Sequence, residues 1–134
     1  RIVDYVGKYN ASPPAQTKGM TQEKWKGVNM LSSEVRSVAK NDLADYLRTI
    51  RDDTISEIFV SGEEGTKVAF LSKTTSWSHK GSAKHDVPMS GQIWTGQPEL
   101  DESTGVQQVQ IGLPVLDNGI LIGSIVIGLN LSKL

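Results

Sequence analysis

The chain of 134 residues contains no cysteine, which excludes disulfide staples and thiolate metal sites. Cysteine-free chains occur in the cytosol and in bacterial periplasms alike, so the compartment stays open on this count. An excess of one charge is lacking too. Fourteen Lys and Arg stand against 15 Asp and Glu, interspersed, for a net charge of −1. Such a balance creates no field that would draw the protein to nucleic acid or to an anionic bilayer. Long apolar runs are also missing. The greasiest stretch, "IGLPVLDNGILIGSIVIG" (111–128), is cut by Pro114 and again by Asp117-Asn118-Gly119, whereas a membrane-spanning helix needs roughly 20 consecutive apolar residues. There is no internal repeat, no low-complexity segment and no GxxxxGK[ST] phosphate loop; "GSIVIG" and "GQIWTG" read as glycine-punctuated strands. The first residue is Arg1 and no signal peptide is present, which suggests a fragment of a longer protein, with Arg1 and Leu134 as the ends where further segments joined.

What is there suits one domain, 1–134, long enough to bury a core without metal or disulfide support. "RIVDYVGKY" carries Ile2, Val3, Val6 and Tyr9 at helical spacing, and "NASPPAQTKG" then breaks the helix. Helical periodicity resumes at Thr21 with Trp25, Val28 and Leu31 on one side, continued by Val35, Val38, Tyr46, Leu47 and Ile50. Asn41-Asp42 either caps a separate helix or sits inside a longer one. The period then changes to that of strands: "SEIFVSG" (56–62), "TKVAFLSK" (66–73) and "GQIWTGQPEL" (91–100). Two more flank Asn118-Gly119, over 106–116 and 120–131, because Asn-Gly between β-prone runs is the strongest short-range hairpin signal. Residues 74–90 have no sustained period and form a long loop with room for one helical turn. Loops beyond roughly 12–15 residues in a compact domain are usually functional or disordered. Helices followed by strands argue an α+β domain, a five-stranded antiparallel sheet with its N-terminal helices on one face.

Alternate side chains of a strand point to opposite faces. Along 106–116, Gln107, Val109, Ile111, Leu113 and Val115 share a mostly apolar face suited to the helices; the other face places Gln108 and Gln110 beside Gly112. Along 120–131, Leu121, Ile125, Ile127, Leu129 and Leu131 form a bulky face, and Ile122, Ser124, Val126, Gly128 and Asn130 one with small residues at intervals. A strand apolar on both faces is covered on both. The 74–90 loop is the simplest second cover, with a small-molecule pocket between sheet and loop. The bland reading, amides facing water beneath a mere lid, stands beside it.

The run "DESTGVQQVQIGLPVLDNGILIGSIVIGLNLSKL", after "EIFVSG" and "SKTTSW", resembles the PAS-like extracytoplasmic sensor domains known as Cache or PDC domains, from about residue 10 to the end. The resemblance implies a helix-backed antiparallel sheet outside the bacterial inner membrane. It also implies a small-molecule ligand between sheet and covering loops, no cofactor, and output through flanking membrane helices to a kinase, chemotaxis or cyclic-nucleotide domain. Thr74 or Thr75, Ser76, Trp77 and Gly81 match the family's loop; "SHKGSAKHD" departs from its more acidic pattern, and the basic His79 and Lys80 point to an anion such as a carboxylate.

The candidate ligand-binding residues are accordingly Lys73, Thr75, Ser76, Trp77, His79, Lys80, Trp94, Gln108 and Gln110. Trp77 and Trp94 either stack on a ligand or plug the sheet face. Lys73, His79 and Lys80 form either a carboxylate cradle or a solvated basic loop. His79, His85 and Asp86 do not make a metal site, for want of organised ligands, and Ser103 with His85 and Asp86 lacks the context of a catalytic triad. A sensor domain, not an enzyme, is the expected class, its partners a small molecule, a second copy of itself as a homodimer, and a membrane met only through flanking helices. The alternative is an intracellular PAS-like interaction module binding a protein through an open sheet face.

Overall fold

A computed structural model describes residues 1–101 and 105–133. Its strands are β1 (Ile55–Gly62), β2 (Lys67–Phe70), β3 (Trp94–Thr95), β4 (Glu99–Asp101), β5 (Val106–Asp117) and β6 (Ile120–Asn130). They form one antiparallel sheet in the order β2-β1-β6-β5-β3, with β4 also paired to β5. The β5–β6 hairpin turns at Asn118 (φ 50°) and Gly119 (φ 84°), the two positive φ values that a type I′ turn demands and that match the right-handed twist of its strands.

The strand expected over 91–100 is two short pieces. Between them Gly96 N donates to Gln110 O at 2.8 Å, and Pro98, which has no N–H to give a ladder, separates β3 from β4. The expected parity of the last strand breaks as well. Leu116 pairs with Leu121 but Val115 with Gly123, so Ile122 is bulged out of the ladder and joins the helix-side core in place of Leu121. At the bulge, Asn10 Nδ2 donates to the Ile122 carbonyl at 2.7 Å.

The helices are α1 (Ile2–Ala11), α2 (Gln22–Gly27), α3 (Ser33–Ala39), α4 (Asp42–Ile50) and the single turn α5 (Ala83–Asp86). Thr21, Ser32 and Asn41 cap α2, α3 and α4 by accepting from Lys24 N, Val35 N and Ala44 N, so Asn41 does begin a separate helix. Because α2 ends at Gly27, Leu31 falls in the connection to α3 and is 85% exposed rather than on the buried stripe.

Helices α1 and α4 lie on the expected face, where Val6, Leu43 and Leu47 meet Ile58, Val60, Val115 and Ile125. The opposite face has a second core of Phe59, Phe70 and Val126 with Trp25, Val35, Val38 and Trp77. Helices α2 and α3 thus reach round the β2 edge and share the second face with the segment that follows β2. Asn41 Nδ2 donates to Val68 O at 2.8 Å across that edge, which blunts it against pairing with another strand.

Candidate functional site

The second face is apolar only toward β2. Farther across, register brings polar side chains together: Gly128 of β6 lies between Glu57 of β1 and Gln110 of β5, paired with each. A Cβ at Gly128 would sit 2.7 Å from Glu57 Cγ and 2.9 Å from Gln108 Oε1. With glycine in the middle strand, two long side chains meet above it, and Gln110 Nε2 donates to Glu57 Oε1 at 2.7 Å. The other end of that amide accepts from Lys84 Nζ of α5 at 2.8 Å, and Ser56 Oγ donates to Gln108 Oε1 at 2.6 Å. Both glutamines are buried, at 5% and 7% exposure, so the row is a walled site rather than a wet surface.

Above these groups runs the 72–84 segment, leaving a cleft of about 500 Å³. Its roof contributes Ser72, Lys73, Thr74, Thr75, His79 and Lys84; its floor and mouth contribute Ser56, Glu57, Phe59, Glu99, Gln108 and Gln110. The roof is tied down along its length. Trp25 Nε1 donates to Thr74 O at 2.8 Å, and the Gln22 side chain both donates to Thr75 O and accepts from Trp77 N. Farther on, His79 N donates to Gly65 O, and His85 Nδ1 meets Ser124 Oγ at 2.6 Å.

Of the residues named from sequence, the fold brings Lys73, Thr75, His79, Gln108 and Gln110 to the cleft. Ser76, Trp77, Lys80 and Trp94 are not among its lining residues. Trp77 is 6% exposed and packs on Trp25 with ring centroids 4.9 Å apart, filling core as a plug. Lys80 points outward and pairs with Glu64 at 2.6 Å, both well exposed. Trp94 stands beside Gly96 and Gly112 with Lys84 Nζ 6.0 Å from its ring. Ser76 offers its carbonyl to Thr74 Oγ1 at 2.7 Å. Ser103 lies outside the described residues. The lining residues that sequence reasoning missed are chiefly Glu57 and Lys84; the parity of β1, which puts Glu57 on the Phe59 face, was a signal for the first.

Electrostatically the roof is basic and the floor acidic: Lys73 and Lys84 face Glu57 and Glu99 across the cleft. Lys73 Nζ sits 4.9 Å from the Trp25 ring, held there by cation–π attraction. His79 stacks on Phe59 at 5.2 Å and 22°. Burial first, and then the neighbouring Lys67, Lys84 and His85, push its pKa down to about 3, so it enters the cleft as a neutral imidazole. Among the described residues its buried Nδ1 has no hydrogen-bond partner.

No protein-family model and no curated protein matches the chain. Solved structures do. The ligand-binding domain of the Pseudomonas aeruginosa PAO1 amino acid chemoreceptor PctC, in complex with GABA, is similar at 12% identity and TM-score 0.51, over 98% of this chain and 58% of its own. The V. cholerae histidine kinase DctB sensor domain is similar at 15% identity and TM-score 0.55, over 98% and 54%. The fold is that of Cache-type sensor domains. The sensory domain of the Campylobacter jejuni chemoreceptor Tlp3 shares it at 10% identity and TM-score 0.52 with isoleucine bound. The chain spans a little over half the length of these sensor structures. Among the described residues no helix is long and apolar enough to cross a membrane.

Proposed function

We propose that the chain is the extracytoplasmic ligand-sensing domain of a bacterial membrane receptor, and that it binds a small carboxylate-bearing molecule in the cleft between the sheet and the 72–84 segment. The observation that carries this reading is the wall formed by the buried Gln108 and Gln110 and the half-buried Glu57, facing Lys73 and Lys84 in a cleft of about 500 Å³. A fold has no need of such groups for stability, since buried polar atoms cost free energy unless fully paired, whereas small-molecule sites place a few convergent polar groups in a concave setting. A carboxylate seats between Lys73 and Lys84 through charge-assisted hydrogen bonds. A donor or ammonium group on the same molecule points toward Glu57. PctC and Tlp3, whose domains have this fold, are crystallised with GABA and with isoleucine, which supports a ligand bearing both charges.

Signalling requires that the ligand prefer one arrangement of the domain over another, because only differential affinity shifts an equilibrium. The roof is the element best placed to differ, since Lys84 contacts the cleft while α5 packs against β6. The rival reading, an intracellular module that binds a protein through an open sheet face, has less support, because that face is roofed by Trp25, Trp77 and the 72–84 segment. Thermal shift followed by calorimetry with succinate, asparagine, isoleucine and γ-aminobutyrate tests the proposal. Stabilisation by at least one, lost when Lys84 is replaced, is the expected result. Absence of any shift across the set at millimolar concentration overturns it.

A further inference from the structure

Beneath the roof lies a charged group the cleft does not use. Lys67 of β2 has 0% exposure. Its Nζ donates to Ser61 Oγ at 3.1 Å and Gly65 O at 2.8 Å, both neutral acceptors, and stands 5.3 Å from the Phe59 ring centroid. It forms no ion pair among the described residues. A dry ammonium without a carboxylate is among the costliest things a protein interior can hold.

The cover over Lys67 is the roof itself. Gly65 O, which accepts from Lys67 Nζ, also accepts from His79 N at 3.1 Å. Thr66 bridges to Ser78, and Ser78 Oγ donates to Glu64 O at 3.0 Å. Phe59, beneath the amine, carries the stacked His79 ring above it. Lifting residues 78–80 therefore breaks the seal over this amine and opens one end of the cleft in a single motion.

We propose that Lys67 is a proton-operated latch for the cleft: with the roof closed the amine is kept dry, and protonating it favours the arrangement in which the roof lifts and water reaches it. Regulation of the site by pH follows, and it rests on the sensor reading in taking the 72–84 segment as the roof of the ligand cleft. The direction is fixed by linkage, since protons favour whichever arrangement holds them more tightly. Burial, with a smaller push from Lys84, lowers the pKa of Lys67 to about 7 in the closed arrangement, while a hydrated lysine stays protonated to beyond about pH 10.

The surrounding charges do not reverse this sign. On α5, Lys84 repels a charge at Lys67, while His85 and His79, both held below the usual histidine range, bring no negative charge to it. Glu64 of the turn is committed outward to Lys80, Glu63 offers its backbone carbonyl to His85, and Glu57 is engaged by Gln110. Helices α3 and α4 meet β2 with apolar side chains and Asn41. On the far face Tyr9 OH is hydrogen-bonded to Thr66 Oγ1 at 2.8 Å.

Amide hydrogen exchange on the ligand-free protein tests the latch. Corrected for intrinsic rates, protection of the His79 amide is expected to fall tenfold or more from about pH 9 to pH 6 in the wild type. Lys67→Met should abolish that dependence, and His85→Asn should leave it. Protection that does not change over this range, or a dependence that survives in Lys67→Met, overturns the latch. If Lys67→Met does not fold, an NMR titration of the Lys67 side chain in the wild type decides: an ordinary lysine value rules the latch out, and a midpoint near neutrality coinciding with the exchange change upholds it. No ligand enters these measurements, so a failed ligand screen sinks the sensor reading and leaves this result to stand on its own.

Discussion

Lys84 and Glu57 hold opposite ends of one amide: Lys84 Nζ donates to Gln110 Oε1 at 2.8 Å, and Gln110 Nε2 donates to Glu57 Oε1 at 2.7 Å. Cation and anion are thus separated by a neutral spacer instead of neutralising each other in a direct pair. Lys84 keeps donor capacity and Glu57 keeps an acceptor oxygen, both lining the cleft. The link also runs from a roof helix to the centre of the sheet, so an occupant that takes Lys84 from Gln110 changes what holds the roof.

Replacement of Lys84 by Met keeps most of the stem and removes the charge. Affinity for a carboxylate probe such as γ-aminobutyrate or succinate should drop tenfold or more, in line with the strength of charge-assisted contacts. Stability should move by less than about 1 kcal/mol, because the residue is only half-buried and the amide it releases can be met by water. Calorimetry paired with urea unfolding separates the two. A large loss of stability with unchanged affinity would make Lys84 a fastener of the roof and nothing more.

Trp77 presents the contrary case. It lies against Trp25, itself 0% exposed, which in turn is 6.1 Å from Phe70 by ring centroids. Truncation to alanine leaves a cavity in a core too tight to collapse and should cost about 3–5 kcal/mol in urea unfolding. Trp77→Phe should cost much less, and the affinity of the folded Phe variant for a probe should stay within about twofold, since binding differences below that correspond to well under 1 kcal/mol.

Strand alternation alone put Gln108 and Gln110 on the face away from α1 and α4, and the structure buries both there. The hairpin at Asn118-Gly119 was equally plain, because its residues suit a φ that few others tolerate. Less was visible where the outcome depends on neighbours in space. Leu31 fits a helical stripe, and only the end of α2 at Gly27 takes it to the surface. Ile122 fits the small-residue face by parity, and a bulge moves it to the other. Glu57 and Lys84 are 27 residues apart along the chain, and nothing in either segment announces that both will find Gln110. The loop's basic residues were legible as a group, but which of them turn inward was set by Glu64, whose exposed carboxylate holds Lys80 outside.

At Gly112 the α5 turn packs directly on the floor strand. A Cβ built there would lie 2.8 Å from Lys84 O and 3.1 Å from Pro88 Cγ, so Gly112→Ala must push the α5 turn away from β5. Overpacking of this kind costs roughly 1–3 kcal/mol. The displaced backbone is that of Lys84 itself, so probe affinity should fall as well, although no polar group of the cleft has been changed. Gly7→Ala, with open space around the new methyl, is the control and should bind as wild type.

Stability should also depend on pH in two separate windows. His79 and His85 are both held below the usual histidine range, burial being the largest cause for each. The unfolded chain therefore binds protons that the folded one refuses, and stability should decline as pH falls from about 6.5 toward acid. Lys67, lowered to about 7, acts in the same direction at higher pH. Between that value and the ordinary lysine range the folded state carries fewer protons, so its penalty is complete below about pH 7 and is relieved as pH rises toward 10. A shift of that size sets an upper bound on the relief on the order of 5 kcal/mol. Lys67→Met should thus be more stable than wild type at neutral pH, with the gap shrinking as pH rises, measured by urea midpoints at constant ionic strength. A gap that stayed constant with pH would mean that the amine is charged, or neutral, throughout, and that its burial is matched by something other than loss of a proton.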